Sequence, residues 1–214
     1  MKQQVEHIIN ELMACYPKLE ICKSDIVKAF EMIKSCYENG GKLLICGNGG
    51  SAADADHIVG ELMKSFKIKR NLRSWDVEKL KKSFPEDGEY MSGHLQGALP
   101  AISLVSHSAF NYAFINDVAA DMVFAQQVFG YGKAGDVLIG ISTSGNSQNV
   151  VNAIKVASSF DIRTIGMTGE GGGKMAGLCD ITIKAPEHET YKVQEYHLPV
   201  YHALCAMIEM EFFG

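Results

Sequence analysis

Five short apolar runs, set between stretches of helical periodicity, constrain this 214-residue chain more than any other feature. They fall at residues 43–46, 101–105, 137–141, 163–167 and 181–184, and each is too short for a helix. Strands that are apolar on both faces need cover on both, and helical segments between them connect them in parallel. The pattern therefore predicts an α/β fold, a doubly wound five-stranded parallel sheet between helical layers. Two helical patterns precede it, making an N-terminal hairpin over about residues 1–40. One spans roughly 3–15; the other runs from the cap candidate Ser24 to Tyr37 and is stopped by Gly40-Gly41. A last pattern over about 191–213 contains Pro199, which lacks a backbone donor and clashes with the preceding turn, so a kink or a late helix start is expected.

Residues 67–99 break the alternation. They hold Lys67, Lys69, Arg70, Arg73, Lys79, Lys81 and Lys82 against Asp76, Glu78, Glu86, Asp87 and Glu89, together with the single tryptophan, Trp75. The reading is a solvated surface insertion with one short helix near 75–84, or a lid or intersubunit flap.

Composition removes several classes of function. No apolar run approaches the roughly 20 residues of a membrane helix. Lys plus Arg total 20 against 25 for Asp plus Glu, a net charge of −5, which is the wrong sign for wrapping a nucleic-acid backbone. The opening residues pass straight into an amphipathic pattern with no signal-peptide core, so a cytoplasmic protein is expected. Its six cysteines form no CxxC pair, which predicts reduced, buried thiols.

The chemistry lies where strands run into helices. The first strand enters Gly47-Asn48-Gly49-Gly50-Ser51 and then a helix; glycines allow a sharp turn, and a helix N-terminus offers free N–H donors to an anion. The third strand ends in Ser142-Thr143-Ser144-Gly145-Asn146-Ser147, four hydroxyls in six residues ahead of another helix. Ligands of open α/β sheets bind at the carboxyl ends of strands, so the two loops together imply a phosphorylated small molecule. His57 and Glu61 share one helix face and suit a metal, an acid/base pair or a surface contact. The last helix adds Gln194, Glu195, His197 and His202. Gln194 and His202 are eight residues apart, about 12 Å along a straight helix. They can meet one ion by stretching, through the Pro199 distortion, or from two subunits.

These residues resemble the SIS-domain (sugar isomerase) family, and within it the phosphoheptose isomerases. The likeness is carried by the first loop, by Asp54-Ala55-Asp56-His57-Ile58-Val59-Gly60-Glu61-Leu62, by residues 135–147, by Met167-Thr168-Gly169 with Gly172-Gly173-Lys174-Met175-Ala176-Gly177, and by Val193-Gln194-Glu195 with His202. It implies a single SIS domain over 1–214, a flavodoxin-like three-layer α/β/α fold, interrupted by the insertion at 67–99. It implies reversible conversion of sedoheptulose 7-phosphate to D-glycero-D-manno-heptose 7-phosphate through an enediol, the first step of nucleotide-activated heptose biosynthesis, in a homotetramer with active sites at subunit interfaces. By the same resemblance one zinc ion per subunit is held by His57, Glu61, Gln194 and His202, with Glu61 and His202 as the catalytic acid/base pair. Asn48, Gly49, Gly50, Ser51, Ser142, Thr143, Ser144, Ser147 and Gln194 then bind substrate and phosphate, and Asn116-Asp117 form a polar substrate-contacting pair. The family typically has a shorter connection where residues 67–99 stand, often a basic residue at Ser65, and commonly an acidic one at Tyr191. Alternatives are an isomerase of another phosphosugar, a phosphosugar-sensing regulator, or a non-catalytic SIS protein that associates with the bacterial replication initiator.

Overall fold

The computed structural model describes residues 2–214; Met1, with which the single-domain expectation begins, lies outside them. Five strands form one sheet: β1 (Leu43–Gly47), β2 (Ala101–Ser103), β3 (Val137–Ile141), β4 (Arg163–Gly169) and β5 (Ile181–Ala185). All are parallel, in the order β2-β1-β3-β4-β5. Alternation sends Leu43 and Ile45 to one face and Leu44 and Cys46 to the other, each into its own apolar core. On the first face lie α1 (Gln3–Cys15), α2 (Lys23–Glu38), α3 (Gly50–Met63) and α9 (Thr190–Phe213); on the second, α7 (Val123–Tyr131) and α8 (Gln148–Ser159). The amphipathic spacing behind this is plain in α1, whose buried residues are Val5, Ile9, Leu12 and Met13. Asp136 pins the start of the β1–β3 pairing, accepting from the Lys42 amide at 2.9 Å and ammonium at 2.5 Å, and from the Lys133 amide at 2.8 Å.

Three expectations need correction. Ser24 is no cap: α2 begins one residue earlier, and its flanking residue, Cys22, makes no side-chain cap bond. Nor does Pro199 delay the last helix, which starts nine residues before it at Thr190 and runs through it to Phe213. The 67–99 segment has two helices, α4 (Ser74–Ser83) and α5 (Gly88–His94), and its root is not solvated, because Arg70 is fully buried.

Strand order places β1 beside β3, with Gly47 opposite Ile141. The order in which strands are added reverses here, since β2 lies to one side of β1 and β3 to the other. The first loop and the hydroxyl loop therefore leave the sheet next to each other at its switch point, the position where such sheets bind ligands.

Candidate active site

The two loops are joined directly. The amides of Asn48 and Asn149 form a reciprocal pair, each Nδ2 donating to the other's Oδ1 at 2.9 Å. In the second loop the Ser142 and Ser147 hydroxyls are 2.9 Å apart, and the Asn146 amide donates to the Ser144 hydroxyl at 3.2 Å. Ser51 and Ser142 are buried, while Ser144 and Asn146 are exposed. Neither Gly49 before α3 nor Ser147 before α8 makes a side-chain cap bond. The Ser51 and Ala52 amides bond the Asn48 and Gly49 oxygens and the Val150 amide bonds Asn149 Oδ1, so among the described residues the first-turn N–H groups left for an anion are those of Gly50, Gln148 and Asn149. Gly145 holds φ +65°, and a Cβ there would stand 2.1 Å from the Gly172 oxygen. The Gly172-Gly173 turn packs against the hydroxyl loop, with the Met175 amide donating to the Gly145 oxygen at 3.1 Å and the Lys174 amide to Asn146 Oδ1 at 3.0 Å just after it.

Helices α3 and α9 run side by side in the same direction. Gln194 lies against Gly50, where a Cβ would come 2.5 Å from its Nε2, and about two turns further on His202 meets His57. His57 Nε2 is 3.3 Å from Glu61 Oε1 and 3.5 Å from His202 Nε2. Its Nδ1 bonds the Tyr201 hydroxyl at 3.0 Å, which turns Nε2 toward the other two groups. Asp54, half-buried, faces that hydroxyl; burial raises its pKa, and Tyr201 and His57 draw it back down. The His202 imidazole is held below its ordinary value by burial and by His57, against an upward pull from Glu61. One Glu61 oxygen, Oε2, is buried without a hydrogen-bond partner, the Lys64 ammonium standing 3.5 Å away. A cleft of about 360 Å³ between α1 and α9 has His202 and Phe66 on its wall.

The structure thus gathers His57, Glu61 and His202, and leaves Gln194 beside the first loop. A tetrahedral zinc site with bonds of about 2.0–2.1 Å separates its ligands by roughly 3.3–3.4 Å. The two distances from His57 Nε2 match that spacing, and two imidazoles with a carboxylate suit zinc in kind. Among the described residues no three His, Cys, Asp or Glu side chains are closed into a metal-holding group. Asn116 and Asp117 lie exposed at the end of α6 (Ser108–Asp117), where the Asn116 amide donates to Asp117. Among the described residues no hydrogen bond ties them to either loop.

Sequence reasoning missed Tyr201, Asn149 and Glu209. Tyr201 reads as one more apolar residue of α9, and Asn149 as an ordinary helix-surface amide. Glu209 left a usable signal, a carboxylate inside an otherwise apolar run.

The SIS domain family model matches residues 10–74 and 93–169, in two pieces that skip most of the α4–α5 segment. Phosphoheptose isomerase from Rhodospirillum rubrum is 34% identical over 209 residues, covering 98% of this chain and 97% of that one. Its counterpart from Aliarcobacter butzleri is 39% identical over 193 residues, 90% of this chain and 88% of the relative. Among solved structures, phosphoheptose isomerase GmhA from Neisseria gonorrhoeae superposes with a TM-score of 0.74 at 34% identity, covering 97% of this chain and 98% of that one. With the flavodoxin-like strand order and the paired loops already in place, these likenesses show that the chain belongs to the SIS domain family, among the phosphoheptose isomerases.

Proposed function

We propose that the protein interconverts sedoheptulose 7-phosphate and D-glycero-D-manno-heptose 7-phosphate. The observation that carries the reading is the meeting of Glu61, His57 and His202 on one side of helices whose amino ends flank two anion-binding loops. Phosphate at Ser51, Ser142, Ser144 and Ser147 supplies binding energy remote from the reacting carbons. Isomerisation then needs one proton moved between neighbouring carbons. A base removes it from C1 of the ketose, the C–H electron pair forms the C1–C2 double bond, and the C2 oxygen takes a proton from an acid. Loss of the O1 proton and return of a proton to C2 give the aldose, with no atom gained or lost. Glu61, a carboxylate with an oxygen free of hydrogen bonds, suits the carbon base. His202, whose pKa burial and the neighbouring His57 hold below its ordinary value, suits proton exchange at the two oxygens. Zinc held by His57, Glu61 and His202, with Gln194 as the outlying fourth ligand, would polarise the C2 carbonyl.

Assembly is part of the same reading. Helix α6 has no buried residue, yet it carries Phe110, Tyr112 and Ile115, all exposed. Cover by further copies of the chain in a homotetramer accounts for that face.

Incubation with sedoheptulose 7-phosphate and a panel of hexose and pentose phosphates, with products identified by mass and NMR, tests the activity. Turnover of the heptulose phosphate is expected, and turnover of none of them would refute isomerisation. Glu61→Gln and His202→Ala are each expected to abolish turnover while phosphosugar still binds. Elemental analysis of the purified protein tests the zinc, and an active protein free of metal would overturn it.

A further inference from the structure

The root of the 67–99 segment holds a buried ion pair that none of the chemistry above uses. Arg70 and Glu209 have side chains 0% and 1% exposed, with Nε 2.7 Å from Oε1. The other guanidinium nitrogens donate to the last carbonyls of α3, Nη1 to Leu62 at 2.6 Å and Nη2 to Glu61 at 2.8 Å. Those carbonyls have no partner within the helix, and a cation suits the negative end of the helix dipole. Glu209 in turn accepts from three successive amides, Phe66 at 2.8 Å, Lys67 at 2.7 Å and Ile68 at 3.2 Å. The Phe66 ring, fixed by this grip, lies 5.7 Å from the His202 ring.

Desolvating a carboxylate and a guanidinium costs about what their attraction returns, so a pair this buried is weak evidence of stabilisation. What it does supply is direction. One end grips the backbone of Glu61 itself, and the other is two turns along α9 from His202, on the same face. We propose that Arg70 and Glu209 are positioning residues for the isomerisation: together they lock the carboxyl end of α3 to α9 and so set the separation of Glu61 from His202. The inference rests on the isomerase reading above and adds to it the device that holds the acid/base pair in register.

The test compares the wild type with Arg70→Met/Glu209→Leu, with Arg70→Lys, and with Lys82→Ala, an exposed residue of α4, as a control. Its readouts are kcat and KM on sedoheptulose 7-phosphate, melting temperature, and the imidazole 15N resonances of His202. The double variant leaves no unpaired charge and stays folded, yet its kcat falls at least about tenfold, while KM stays within roughly twofold because neither phosphate loop is touched. Arg70→Lys loses kcat as well, since lysine keeps the charge but cannot fork to two carbonyls. The His202 resonances shift in both and not in the control. Wild-type kcat in the folded double variant, or unmoved His202 resonances, overturns the proposal. A wild type inert on the substrate refutes the isomerase reading instead, and the resonances still decide the positioning. Should the double variant not fold, Arg70→Lys decides by the same readouts.

Discussion

Single side chains at the site act through their neighbours. The Tyr201 hydroxyl bonds His57 Nδ1 at 3.0 Å, so Tyr201→Phe is expected to lower kcat/KM by about 10- to 100-fold with the fold intact, as loss of a partner that orients a site imidazole does; initial rates beside a thermal melt check it. His197 is a different case. It is buried, its Nε2 lies 3.2 Å from the Thr168 oxygen, and burial pushes its pKa down from 6.5 to about 4. Because the folded value lies below the unfolded one, the unfolded chain takes up a proton first as pH falls. Stability from the neutral ring is therefore full above about pH 6.5 and is lost between there and pH 4, by up to about 3 kcal/mol. Urea midpoints at pH 7.5 and 5 are expected to differ more for the wild type than for His197→Gln. That His57 and Glu61 share a helix face was legible from spacing, and that His202 meets them was expected from the resemblance. Tyr201 was not, because an aromatic residue in an apolar helix shows nothing of where its hydroxyl points.

Elements were read well wherever a period was strong. All five strands begin where the short apolar runs begin, β2 ending two residues early at Ser103, and α1 has the bounds its apolar spacing gave. Helices α6 and α7 left no comparable signal, since α6 buries nothing and so carries no core-facing stripe. The glycine turn after β4 was seen, but its task was not, because sequence cannot show that two loops pack back to back. That packing carries a prediction: Gly145→Ala must hold a positive φ and displace the Gly172 carbonyl, so it is expected to cost about 2 kcal/mol or more in urea unfolding. It should also raise KM for the phosphosugar, since the hydroxyls of Ser142, Ser144 and Ser147 move with the turn.

At the scale of the whole molecule, the sheet and its two covered faces follow from hydropathy alone, whereas the relation between copies does not. The exposed α6 face makes that relation testable. Ile115→Glu is expected to reduce the particle mass in light scattering toward the 23.4 kDa of one chain, while an unchanged mass would place the contact elsewhere. The 67–99 segment has a further consequence. The Gly97 amide donates to the Arg70 oxygen at 2.9 Å, and Leu99 to Leu62 at 3.0 Å, so the chain leaves the body and returns to it at nearly the same point. Ends already held together make the intervening length close to a free variable, because loop closure depends only weakly on residue number. Residues 71–96 are thus a natural cassette: a short Gly-Ser turn, or a folded reporter with adjacent termini, is expected to replace them with the melting temperature of the body almost unchanged. Length and surface at this one place can then change without moving the two helices behind it.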